Sequence, residues 1–189
     1  AEGVSIITSQ RRVEDAGIVI DVAATMVEGR CHQAVFGWLQ SGFERHAVYE
    51  FQAGALAGLS LDGEATPSGA SFDYFFPLMR VFTGPLLAHL TRRTSAQVLV
   101  PWIKDPSQRD LLFSADLSER SVELVGRLRA EEAEVRMLEY NGGQYEQAAN
   151  CVLTEGNWLQ AYSWRMSPES LWEVRLATPV SAMACPDFT

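Results

Sequence analysis

Lysine is nearly absent from this chain. Lys104 is the only lysine, and arginine supplies the rest of the 15 basic residues. A Schiff-base mechanism could therefore use no other lysine. Cysteine is also scarce: Cys31, Cys151 and Cys185 are too few and too widely spaced for a disulfide framework or a zinc cluster. Three buried thiols is the preferred reading, with one disulfide plus a free thiol as the alternative. Positive charge is short overall. The formal net charge of −9 argues against nucleic acid as a partner, because phosphate binding needs concentrated cationic charge. No apolar run approaches the roughly 18 residues of a membrane-spanning helix, so no integral membrane span is expected. No secretory leader pattern opens the chain, and the compartment, exported or cytoplasmic, stays open.

Catalytic signatures are missing as well. There is no Gly-x-Ser-x-Gly elbow. Gly54 and Gly58 lack the lysine and the following helix of a phosphate loop. Cys31 and His32 are adjacent on a strand, which sends them to opposite faces. His32, His46 and His89 are the only histidines. His32 and His46 fall on neighbouring strands with Glu44 or Glu50 nearby, a minimal metal set; hydrogen-bonded or surface histidines are the plainer reading. No cofactor is called for.

What the chain does have is alternation. Its 189 residues, 47% hydrophobic and 21% charged, suit one globular domain over 1–189. Within it we read an N-terminal meander at 13–62, an insertion at 64–93, a C-terminal meander at 96–178 and a tail at 179–189. The last third is the clearest part. Glu134–Tyr140, Gln144–Leu153, Trp158–Met166 and Leu171–Ala177 alternate as four strands. Turns at Asn141-Gly142-Gly143, Glu155-Gly156-Asn157 and Ser167-Pro168-Glu169-Ser170 join them. Tight turns in succession force antiparallel neighbours. Arg136, Arg165 and Arg175 alternate with Glu139 and Glu173, which predicts cross-strand ion pairs.

The N-terminal third reads the same way. Val4, Ile6 and Ile7 suggest an edge strand, followed by strands at Gly17–Val27, Cys31–Leu39, Glu44–Phe51 and Ala55–Leu61. Residues 64–71 form a loop rich in small and polar residues. Thr83 as N-cap, Pro85, the stripe Leu86, Leu87 and Leu90, and terminal Arg92 and Arg93 predict a short helix over 85–92. Gln97–Ile103 resumes β structure, with Pro101 marking an edge or bend. Asp110–Ala115 and Ser121–Arg129 read as two further strands around a turn at 116–119.

The expected fold is mainly β: an antiparallel meander forming a strongly curved sheet or incomplete barrel, with one short helix. Both faces of many strands carry apolar groups, which motivates the curvature. In architecture the strand pattern is similar to half-barrel lipid carriers of the bacterial envelope, a likeness carried by the strands alone. The segment Phe72–Phe82 holds five aromatics in eleven residues, more than one strand face can bury. We therefore expect non-catalytic binding of a small hydrophobic or amphipathic molecule, lipid or acyl-like, in a cavity of the sheet. Phe72, Tyr74, Phe75, Phe76, Met79, Phe82, Trp38, Tyr162 and Trp164 are its candidate lining, and core packing is the plain alternative for the same residues. Two rival functions stand beside it. One is an enzyme using a carboxylate or histidine pair among Asp21, Asp73, His32 and His46. The other is an assembly protein that presents a sheet edge or the aromatic segment as an interface.

Overall fold

A computed structural model describes residues 3–27, 30–66, 71–130, 133–142, 145–154, 156–167 and 170–175. The turn residue Gly143, the turn residues Pro168 and Glu169, the loop positions 67–70, and the tail 179–189 with Cys185 lie outside the described residues.

In chain order the strands are β1 (Val4–Val13), β2 (Ile18–Val27), β3 (Arg30–Gln40), β4 (Phe43–Gln52), β5 (Ala55–Leu61), β6 (Glu64–Ala65) and β7 (Tyr74–Phe75). The helix α1 (Thr83–Arg93) follows. After it come β8 (Ser95–Pro101), β9 (Ala115–Ala130), β10 (Ala133–Gly142), β11 (Tyr145–Thr154), β12 (Leu159–Ser167) and β13 (Ser170–Arg175). They form two sheets, one in the order β1-β2-β3-β4-β5-β6 and the other in the order β13-β12-β11-β10-β9-β8-β7. The fold is thus mainly β and antiparallel with one short helix, as the alternation predicts. Neither sheet is closed or strongly curled. The apolar residues on the second face have a simpler cause than curvature, since Val35 and Leu39 stand exposed there.

The chain divides into two compact units. Of the described residues, one contains those up to Met79 and Leu99–Leu117; the other contains Arg80–Val98 and those from Ser118 to Arg175. In the first, the buried face of the sheet carries Ile20 and Val22 from β2, Phe36 and Trp38 from β3, Tyr49 and Phe51 from β4, and Leu59 from β5. These positions alternate along each strand and face one another across the ladders, as in Val22↔Phe36 and Tyr49↔Leu59. His32 breaks the expected alternation. The register shifts between Thr25↔Gln33 and Met26↔Cys31, which leaves His32 as the extra residue of a bulge and exposes it.

Three sequence readings need correction. Residues 109–111 form a 3-10 turn, not a strand, and 115–130 is one continuous strand. The apolar pair Leu112 and Phe113 that suggested a strand is fully buried in a loop, with Phe113 at φ 63. Pro101 is the last residue of β8, which has strand neighbours on both sides, so the proline ends the strand instead of marking an edge. Thr83 lies inside α1; the residue before the helix is Phe82, which makes no side-chain cap.

In the second unit, β10 and β11 place Leu138, Tyr140, Ala149, Cys151 and Leu153 on a buried face. Residues Thr83 to Leu90 of α1 are all buried. Gly84 explains how the helix approaches the β11–β12 turn. A Cβ at Gly84 would collide with the Asn157 carbonyl oxygen and come within 3.3 Å of the Leu159 nitrogen. Among the described residues, no helix is long and apolar enough to cross a membrane.

Candidate functional site

The sequence-nominated aromatics divide between the units. In the first, Phe75 sits 4.5 Å from Phe51, 5.4 Å from Tyr49 and 6.5 Å from Phe36, ring centre to ring centre. Phe72 meets Phe51 edge-on at 6.1 Å, and Phe113 touches both Phe36 and Trp38. These separations are ordinary for a packed aromatic core. The Tyr49 hydroxyl donates to the Phe113 carbonyl at 2.7 Å, and burial, with Asp116 nearby, pushes its pKa upward. Among the described residues the Trp38 Nε1–H has no acceptor. Tyr74 and Met79 are buried and Phe76 is half-buried, its N–H donating to the Leu99 carbonyl.

In the second unit Phe82 is buried. Tyr162 and Trp164 lie 4.8 Å apart, and the exposed Arg80 guanidinium stands 5.5 Å and 5.4 Å from their ring centres. Strand alternation predicts that Tyr162 and Trp164 share a face. The arginine that covers them comes from outside the sheet, and sequence alone does not place it there.

The titratable candidates do not converge. Asp21, Asp73, His32 and His46 are all exposed. His46 pairs across the ladder with Gly37, five residues from His32, or roughly 16 Å along the strand. Asp21 accepts a hydrogen bond from Gln10 at 2.7 Å, and His46 lies 3.9 Å from Glu44. Among the described residues no three His, Cys, Asp or Glu side chains are placed to hold a metal ion. Burial pushes the Cys31 and Cys151 thiols up to about 12, where the reactive thiolate is scarce at neutral pH.

A cleft of about 350 Å³ lies elsewhere, between the C-terminal end of α1 and the β9–β10 ladder. Thr94, at φ 67, closes the helix: its N–H donates to the Leu90 carbonyl, and its own carbonyl accepts the Val122 N–H at 3.0 Å. Thr91 and Thr94 line one wall, Val122 and Leu124 supply apolar surface, and Glu123 adds one carboxylate. Arg127 and Arg136 complete the lining, directly opposite one another on neighbouring strands. Like charges in that position repel. Arg127 is paired with Glu134 at 2.9 Å, and Arg136 donates to the Asn157 side-chain oxygen. Each guanidinium retains further N–H donors.

The expected ion pairs of the C-terminal strands therefore change. Arg175 lies 3.5 Å from Glu173 on its own strand, while Arg136 faces a cation. Sequence reasoning missed Arg127, Thr91 and Thr94. Counting outward from the β9–β10 connection, where Ala130 faces Ala133, would have brought Arg127 opposite Arg136. The threonines had no such signal. No protein-family model, curated protein or solved structure matches this chain.

Proposed function

We propose that this protein is a non-catalytic binding protein for a small amphipathic anion, an acyl carboxylate of short to medium length, held in the cleft at the end of α1. The observation that carries this reading is the opposition of Arg127 and Arg136 beside Val122 and Leu124. A carboxylate between two guanidiniums relieves their repulsion and accepts charge-assisted hydrogen bonds from both. The apolar wall takes the first carbons of the chain. A volume of about 350 Å³ is at the small end of the roughly 300–1,000 Å³ of ordinary ligand sites, which favours a short chain.

This reading keeps the amphipathic ligand expected from the sequence and moves it from the aromatic segment to the two arginines. It needs no curled sheet or barrel. Asp21, Asp73, His32 and His46 are exposed and do not converge, so the geometry offers no pair for an enzyme built on those four residues.

The test is calorimetric titration of the purified protein with dodecanoate and with its methyl ester. Saturable binding of the acid, weakened at least about tenfold in Arg136→Gln and absent for the ester, is the expected result. Equal binding of acid and ester, or an affinity unchanged by Arg136→Gln, would sink the reading.

A further inference from the structure

Among the described residues β1 forms one border of the six-stranded sheet, with β2 on one side and no strand on the other. It pairs with β2 over all ten residues, from Val4↔Val27 to Val13↔Ile18, without a register shift. An antiparallel strand turns alternate residues' N–H and C=O groups away from its neighbour. Along β1 those outward groups meet no backbone partner among the described residues. Long edges are usually guarded by charge, proline, a bulge or a covering element. Val4 to Gln10 carries neither charge nor proline, and its pairing contains no bulge. Two large apolar side chains also stand in solvent there, Val4 at 49% and Ile6 at 68% exposure.

We propose that β1 pairs antiparallel with β1 of a second copy of this chain about a two-fold axis at Thr8, joining two six-stranded sheets into one of twelve strands. Charge selects the direction. A parallel pairing would set Arg11 and Arg12 against themselves, whereas the antiparallel one sets them against the partner's Ser5 and the partner's Val4. Continuity of the buried face selects the parity. Facing residues must lie on the same side of the joined sheet, so positions that meet differ by an even number. With Thr8 on the axis, Ile6 meets the partner's Gln10 and Val4 meets the partner's Arg12. The aliphatic stems of those two residues cover the exposed apolar groups while their polar ends stay wet.

Light scattering of the intact protein over a concentration series, combined with single cysteine substitutions in β1, tests this. The dimer fraction is expected to rise with concentration. Thr8→Cys should form an intermolecular disulfide on mild oxidation, since residues facing across strands lie within about 4.5–5.5 Å at Cα. Ile6→Cys should not, because the two copies of that position lie about 14 Å apart along the strands. The unsubstituted protein serves as the blank. Ile6→Lys should weaken dimerisation at least about tenfold while leaving the thermal unfolding midpoint of the monomer unchanged. A monomer at every concentration overturns the proposal, and so does cross-linking at Ile6→Cys as efficient as at Thr8→Cys. Neither outcome bears on ligand binding at Arg136.

Discussion

Arg45 stands on the buried face of β4, opposite Trp38, where an unpaired cation would be costly. Each of its three nitrogens has a partner: Nε donates to the Leu112 carbonyl, Nη2 to the Asp110 carbonyl, and Nη1 meets the Asp62 carboxylate at 2.7 Å. One side chain thus pins the 109–113 loop that carries Phe113 into the core. Burial is the largest single influence on the Asp62 carboxyl and raises its pKa. The His46 N–H and the Arg45 guanidinium outweigh that and hold its pKa below the ordinary 3.8. A depressed pKa stabilises the folded state above the unfolded value, and that contribution disappears as pH falls from about 4 through the lower folded value. Asp62 is partly exposed, so the contribution is modest, about 1 kcal/mol. Urea midpoints measured from pH 7 to pH 2 should show Asp62→Asn less stable at neutral pH and converging on the parent in acid. A constant gap across that range would contradict the assignment. This network was not legible beforehand. Arg45 alternates with Ala47 and Tyr49, which marks its face, but its three acceptors come from two distant segments.

Among the elements, α1 shows local propensity yielding to packing. Glycine in a helix costs about 1 kcal/mol relative to alanine, yet Gly84 occupies the first turn. The Asn157 carbonyl fills the space that a Cβ would take. Gly84→Ala should therefore destabilise the protein by roughly 1–3 kcal/mol, despite the better propensity, because backbone must move to admit the methyl group. Gly37→Ala is the control. There the nearest atom to the added Cβ is the Asp21 Cβ at 3.8 Å, an ordinary contact, and little change is expected. Thermal unfolding of the two variants distinguishes them; similar losses would mean that propensity or strand context, not the Asn157 contact, governs both. The same principle explains the helix start. Periodicity and Thr83 pointed to a capped terminus, but Thr83 is buried within the first turn, so its hydroxyl is not the cap.

For the whole molecule, charge is the property that sequence states most directly. A net charge of −9 with a pI near 4.8 sets an overall field that repels polyanions. The intact protein should be retained on an anion exchanger at pH 7 and should not retard duplex DNA in a gel shift at 0.15 M salt. Retardation under those conditions would show that a local cationic surface, with the Arg127–Arg136 cleft as first candidate, overrides the net charge. For the small carboxylate proposed above, screening over about 8 Å at that ionic strength leaves the charges of the cleft itself, Arg127 and Arg136 with Glu123 and Glu134, as the ones that act.

The sequence by itself determined the β class, the antiparallel pairing of strands joined by tight turns and the place of the helix, and it suggested an edge strand at Val4, Ile6 and Ile7. These follow from side-chain alternation and turn chemistry, which act over a few residues. The tertiary structure decided what depends on register and on distant approach. A one-residue bulge removed His32 from the ladder, and Phe113 and Leu112 became core plugs in place of strand residues. Pairing counted from the β9–β10 connection set Arg127 against Arg136. A long strand whose neighbours are paired by turns can be read from its own residues. A cleft made where a helix end meets two strands cannot, because none of its walls carries the others in its local pattern.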